Sequence, residues 1–502
     1  MHKERMPRQP HQPVGLPAIF ARDTQRILVG GEWVAPSTNR SFVTCNPATG
    51  EVLTRIAEGD ASDVDSAVKA ARQAFEGEWS RWTPYDRQRL ILRVHDLIEK
   101  NFEELSLIET LDMGAPLQRT RGLKRYISQL LNFYAGQTVN VAGETLPNSL
   151  AGNIKTMSIK APVGVVGGII PWNGPLISQW WILGPVLATG CVAVLKPAED
   201  ASLSVLRIAE LLMEAGMPAG VVNVVTGYGH VAGAALSEHM DVDRIAFTGS
   251  TATGRKIIQA SAGNIKRLQL ELGGKSPDIV FADANLDAAV PGAAMAAFNN
   301  TGQICYAGTR LFVQRSIQDQ FVERLSAFSR TLKVGNGIDP NVQIGPIISA
   351  KQLDQVMRYV DIGQGEGATL ASGGKRLEAG LADGYFVEPT VFANVSNEMT
   401  IAQEEIFGPV ISVIPFDDAD HALKMANDIN YGLGGAVWTS SLSTAMKMSH
   451  GIKAGTIWVN CYGLIDPGVG FGGYRMSGYG WKGGPQHVDA FLYQKAVYMN
   501  LD

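Results

Sequence analysis

The thiol of Cys305 ends a segment too polar and too glycine-containing for ordinary core: Phe298-Asn299-Asn300-Thr301-Gly302-Gln303-Ile304-Cys305. Upstream, Glu271 opens an abrupt glycine turn, Glu271-Leu272-Gly273-Gly274-Lys275. A thiolate attacks carbonyl carbon well, and a carboxylate at such a turn is positioned to take a proton. Asn173, in Pro171-Trp172-Asn173, adds a side-chain amide that donates to a developing oxyanion. Each residue alone has a plain structural reading: an inert thiol, a turn carboxylate, a loop asparagine. Taken together they point to covalent catalysis.

Two further segments suggest a nucleotide. Thr248-Gly249-Ser250-Thr251-Ala252-Thr253-Gly254 joins a strand-like run to a helical one, where free N–H groups and the positive helix end suit a diphosphate. It is neither G-x-G-x-x-G nor a P-loop, so an ordinary glycine turn stays open as its reading. Lys196-Pro197-Ala198-Glu199 sets a cation beside a carboxylate. A carboxylate there suits ribose hydroxyls and repels a 2′-phosphate, while a solvated helix start is the plain alternative.

The elements that must position these residues read as a doubly wound α/β chain. Strand-like runs cover 164–170, 192–195, 221–225 and 244–247, and each polar motif follows a strand's C-terminal end, where open parallel sheets bind ligands. Residues 27–33 read as a hairpin near the surface. Ser62 is the expected cap of a helix carrying Val64, Ala67, Val68, Ala71 and Phe75 on one face, with Asp65 completing a capping box. Residues 86–112 read as one long helical region in which His95 is structural. The apolar run 180–195 is interrupted by Gly184, Pro185, Thr189 and Gly190 and is too short to span a bilayer. It reads as a buried helix turning into a strand. A second α/β unit extends from about 273 to 471, and a last strand is expected at 496–500.

At 502 residues the chain needs two or three domains. A net charge of −5 with 18% charged residues gives no reason to expect a nucleic-acid or membrane surface. Cys45, Cys191, Cys305 and Cys461 lack the spacing of a disulfide framework or zinc site, so no metal is expected and a reducing, cytoplasmic compartment fits. The basic N-terminus has no apolar core, and Pro7, Pro10 and Pro13 would break an amphipathic transit helix. A disordered tail is expected there.

These motifs, in this order, resemble the aldehyde dehydrogenase superfamily from about residue 27 to the C-terminus, including Lys275-Ser276-Pro277 and Glu404-Glu405-Ile406-Phe407-Gly408-Pro409. The resemblance implies a Rossmann-like NAD-binding domain (22–140 and 162–272), an α/β catalytic domain (273–480) and a small β oligomerisation element (141–161 and 481–502), after a tail at 1–21. It implies that Cys305 forms a thiohemiacetal and then a thioester, that Asn173 and the Cys305 N–H hold the oxyanion, and that Glu271 activates water. It places Lys196 and Glu199 at the adenosine ribose of NAD, and Thr248, Gly249, Ser250 and Gly254 at the pyrophosphate. Ile169, Pro171, Trp172, Gly229, Leu272, Gly273, Gln352, Glu405 and Phe407 are its remaining cofactor contacts. Glu199 favours NAD, with NADP possible. Trp180, Trp181, Ile304, Tyr306, Tyr462 and Phe471 are expected along the substrate tunnel.

The chain departs from many hydrolytic relatives twice. It has Gly480-Trp481-Lys482-Gly483-Gly484 where they read Gly-Arg-Glu-x-Gly, and Ile182 where they carry a helix lysine. Glu271 is therefore expected to release its proton to bulk water directly or through Lys482. No arginine or lysine flanks Cys305 in sequence, so an uncharged aldehyde with an apolar or aromatic body is expected. Other readings are a cofactor-independent thiol hydrolase, a CoA-acylating relative, which Glu271 disfavours, and a silent NAD-binding structural protein. Self-association as a homodimer or homotetramer completes the expectation.

Overall fold

The computed structural model describes residues 15–502. Its largest sheet has eight strands, five of them parallel. In space these run Arg267–Glu271, Arg244–Thr248, Val165–Ile170, Val192–Pro197 and Val222–Val224. Val165–Ile170, first in the chain, lies between strands reached by winding in opposite directions. The crevice past its C-terminal end is the topological switch point at which such sheets bind ligands. Pro171-Trp172-Asn173 and Thr248-Gly249-Ser250 emerge there. Val192–Pro197 is buried at every position, as a parallel strand covered by helices on both faces must be.

A second sheet of seven strands carries Cys305 and Glu405. Its spatial order is Thr369–Ser372, Thr390–Ala393, Val410–Phe416, Arg310–Gln314, Pro277–Val280, Gly434–Trp438 and Thr456–Val459. Here the chemistry-bearing segments precede their strands: Cys305 leads into Arg310–Gln314, and Gly408-Pro409 into Val410–Phe416. The rule of strand C-terminal ends therefore holds for the first sheet only.

Several local expectations shift. The hairpin Ile27–Val29/Glu32–Val34 forms, but Ile27 and Leu28 are buried and it extends the large sheet through Leu28 and Val224. The helix Ala61–Glu76 is capped by Asp60, not Ser62. Asp60 accepts the Ser62 and Asp63 N–H groups while Asp63 accepts the Asp60 N–H, so the capping box closes on Asp63, not Asp65. The long helical region is two helices, Pro84–Lys100 and Phe102–Met113, broken at Asn101. His95 meets Ser128 Oγ at 2.8 Å, a structural contact.

The final strand is longer than expected, Leu492–Asn500, and pairs along its whole length with Ile154–Pro162. With Thr145–Leu146 it makes a separate three-stranded sheet. Residues just before it belong with the first unit: Gly478–Tyr479 pairs with Arg267–Glu271, and buried His487 bonds Tyr134 and Gln269. At the other end, Ala18–Ala21 form one 3-10 turn with Ile19 buried, so order begins before residue 22. Residues 1–14 of the expected tail lie outside the described residues. Among the described residues, no helix is long and apolar enough to cross a membrane.

Candidate active site

Cys305 is presented by a strained turn. After the helix Leu286–Phe298, Asn300 (φ 52°), Thr301 (φ 58°) and Gly302 (φ 72°) follow one another in the left-handed region. Non-glycine residues adopt it only where surroundings compensate. Here Asn300 Nδ2 donates to the carbonyls of Asn173 (2.9 Å) and Gln303 (3.2 Å), and Thr301 Oγ1 donates to Gly345 O (3.0 Å). Gly302 must be glycine, because a Cβ would lie 2.1 Å from Gly408 O. Gln303 is buried, its Oε1 accepting from Ile348 N–H at 3.0 Å. Its carbonyl accepts one amide hydrogen of Asn173 at 2.9 Å, which orients the Asn173 side chain beside the thiol segment.

Glu271 ends a strand held between Arg244–Thr248 and Gly478–Tyr479. It is 3% exposed, and its Oε1 has no hydrogen-bond partner among the described residues. Its Oε2 lies 3.7 Å from Lys482 Nζ. That ammonium donates to Thr248 Oγ1 at 2.9 Å and sits 4.5 Å from the Trp181 ring centroid. Lys482 is anchored by reciprocal 2.7 Å backbone bonds with Phe471. Burial pushes the Glu271 carboxyl up to about 7, with the Lys482 charge acting against it. Burial, then the Glu271 charge, pushes the Cys305 thiol up to about 12, again opposed by Lys482.

The two glycines after Glu271 have steric reasons. A Cβ on Gly273 would lie 2.1 Å from Glu405 Oε2, and one on Gly274 would lie 2.5 Å from Cys305 O. Gly274 N–H also donates to Glu405 Oε1 at 3.1 Å. The base segment, the thiol segment and the Glu405 segment thus approach to backbone distance.

The expected cofactor residues gather in groups. Lys196 Nζ bonds Glu199 Oε2 at 2.9 Å, and Gly229 N–H reaches Glu199 Oε1 at 3.4 Å. Burial alone would raise the Glu199 carboxyl; Lys196 outweighs that and holds it below its usual range. Ser250 caps the helix Thr251–Ser261, and Gly249 N–H donates to Glu271 O at 3.1 Å. Gly254 sits where a Cβ would press on Leu272 at 2.7 Å. Trp172 and Phe407 meet edge to face at 5.2 Å. Gln352 donates to the carbonyls of Ile406 (3.2 Å) and Phe407 (3.0 Å), which makes it a support of that segment. Ile169 is half-buried near the end of the central strand.

A cavity of about 450 Å³ opens on Cys305, Asn173, Trp181, Ile304, Tyr306 and Phe471. Trp180 and Tyr462 are not part of its wall. Neighbouring helix residues point about 100° apart, so with Trp181 at the cavity Trp180 turns fully into the core. Tyr462 stands behind the wall, its hydroxyl donating to Tyr306 O at 2.6 Å. Sequence reasoning missed Arg119, Leu123 and Tyr126, on the helix Leu117–Gln137. Nothing in their local pattern marks them. Arg119 and Lys482 both line the cavity: distant segments supply the cations that the sequence flanking Cys305 does not. Among the described residues, no group of three His, Cys, Asp or Glu side chains is placed to hold a metal.

The aldehyde dehydrogenase family model matches residues 33–497. This chain belongs to that family. The enzyme is an NAD(P)-dependent aldehyde dehydrogenase, an oxidoreductase acting on aldehydes. It is 45% identical to the mitochondrial aldehyde dehydrogenase of Homo sapiens (97% of this chain, 93% of that one). It is 42% identical to the mitochondrial benzaldehyde dehydrogenase of Antirrhinum majus (98% and 91%). Among solved structures, an NAD+ complex of an aldehyde dehydrogenase from Bacillus cereus superposes with a TM-score of 0.94, at 44% identity (97% and 98%).

Proposed function

We propose that this aldehyde dehydrogenase uses NAD and works through a covalent thioester on Cys305. The observation that carries this reading is a thiol and an oriented amide lining one cavity, with a buried carboxyl behind them whose charge acts on the thiol. A thiol held near 12 is protonated at neutral pH, so a base must take its proton as the carbonyl is attacked; Glu271, near 7, is ionisable at that pH and serves as the base. The thiolate attacks the aldehyde carbon. Asn173 Nδ2 and the Cys305 N–H hold the resulting oxyanion. NAD, when bound, supplies the hydride acceptor. Loss of hydride from the thiohemiacetal leaves a thioester, and Glu271, having passed the thiol proton outward, takes a proton from the water that opens it and returns it to the departing thiolate. Carboxylic acid leaves and the thiol is restored.

Glu199 with Lys196 and Gly229 forms the ribose end of the cofactor cradle, where a 2′-phosphate would meet a carboxylate. The Ser250 helix start takes the pyrophosphate, and Glu405 with Phe407 takes the nicotinamide end. Lys482 is the proton outlet of Glu271, standing in for the relay groups that Ile182 and residues 480–484 lack. The aromatic walls favour an aldehyde with an apolar or aromatic body, in keeping with the benzaldehyde dehydrogenase relative. The three-stranded sheet is the self-association element. Leu492–Asn500 leaves one edge unpaired, with Tyr493 and Tyr498 exposed. Aldehyde-dependent NADH absorbance tests the chemistry: Cys305→Ala should abolish it, and a fully active variant would refute the thioester route.

A further inference from the structure

Arg119 stands out among the cavity residues because its side chain makes no hydrogen bond among the described residues. Its Nη1 is closed off from solvent, and no acceptor among the described residues bonds it. The residue as a whole keeps partial exposure, and it lines the cavity shared with Cys305. Glu109, the carboxylate whose charge reaches Arg119, is already engaged by the Leu176 N–H (3.2 Å) and Ser204 Oγ (2.8 Å). The other group acting on it is the phenol of Tyr306, next to Cys305 in the chain. Asp466 folds back on its own loop, accepting from Gly468 N–H at 2.8 Å.

A guanidinium nitrogen closed off from water without an acceptor is costly, and leucine or methionine would fill the same wall without that penalty. A guanidinium presents a planar fork of donors that matches a carboxylate in two parallel hydrogen bonds. Around it the cavity is aromatic: Tyr126 and Trp181 meet edge to face at 6.5 Å, with Phe471 and Tyr306 completing the apolar wall. A ligand spanning this space from the thiol meets apolar surface along its body and a cation at Arg119.

We propose that Arg119 is a specificity-determining anchor for an acidic group, so that the preferred substrates are aldehydes carrying a carboxylate at the end remote from the carbonyl. This rests on the thioester reading above and narrows its substrate class. Arg119 takes no part in bond making. It binds the carboxylate, fixes how far the aldehyde enters, and so sets the carbonyl against Cys305 and Asn173.

The test compares matched pairs by kcat/KM with NAD: para-carboxybenzaldehyde against benzaldehyde, and succinic semialdehyde against butanal. The native enzyme should favour the acidic member of at least one pair. In Arg119→Gln the acid-to-neutral ratio should fall about 10- to 100-fold, chiefly through KM, and Arg119→Lys should recover part of it. The proposal is overturned if the native enzyme favours neither acid, or if the ratio is the same in Arg119→Gln as in the native enzyme. Turnover of neutral aldehydes alone would defeat the anchor and leave the thioester reading standing. Absence of NADH with every aldehyde would instead defeat that reading.

Discussion

Glu271 and Lys482 carry opposite charges in a nearly sealed place, and that pairing makes the pH response predictable. In the proposed mechanism Glu271 works as the carboxylate, so kcat should rise with pH across about 7, where burial has moved its titration. Lys482 favours the charged form. Lys482→Met should therefore push the acid limb to higher pH, by up to about one unit, and slow deacylation in single-turnover experiments. An unchanged profile would mean that the proton leaves without Lys482. The same burial has a consequence for stability. Between its ordinary value of 4.5 and about 7, Glu271 holds its proton more tightly folded than unfolded, so stability from this group is lost as pH rises through that window. Glu271→Gln should therefore be nearly inactive yet melt about 2–4 °C higher at pH 8, with little gain at pH 4. Calorimetry at the two pH values checks both arms. The types of these residues and Lys482 as a candidate outlet were read from the chain; the 3.7 Å separation was not, because a contact between residues so far apart depends on the turn that closes on Phe471.

The turn Asn300-Thr301-Gly302 is an element whose geometry is already written in its residues. Glycine at 302 satisfies both a positive φ and the approach of Gly408. Gly302→Ala should cost about 1–3 kcal/mol in backbone strain before the overlap is counted. The displaced thiol should lower kcat about 100-fold, as a misplacement near 1 Å does. Gly136→Ala is the control, since a Cβ there meets open space within a helix, and it should leave kcat unchanged and the melting temperature equal or higher. Stopped-flow rates and thermal melts of the two variants together decide whether this turn or glycine loss in general is at issue. Element ends were less legible than element types. Asp60 displaced Ser62 as a cap because an aspartate one turn before the apolar face, answered by Asp63, satisfies three N–H groups at once.

At the scale of the whole molecule, two largely parallel sheets meet through the segments at 271–274, 302–305 and 405–409, and the three-stranded sheet that holds Leu492–Asn500 is separate from both. If the three-stranded sheet carries the proposed self-association, removing 492–502 should leave Ile154–Pro162 without its long partner and give a smaller species by sedimentation than the full chain. An unchanged mass would place self-association elsewhere. The strand was expected near 496 from its β-type residues and was grouped with 141–161 by the family resemblance, but its register along Ile154–Pro162, more than three hundred positions upstream, came only from the fold. The division is physical. The thiol segment, the Glu271 glycine turn, Pro171-Trp172-Asn173 and the Lys196–Glu199 cluster declare themselves in sequence because each needs particular residues at fixed local spacing, and they sufficed for the family and the reaction. Which aromatic of Trp180 and Trp181 faces the cavity, why Tyr462 stands behind it, and how Arg119 and Lys482 reach it were decided by tertiary packing. Side-chain direction follows helix phase, and a cavity wall is assembled from residues that share no local pattern.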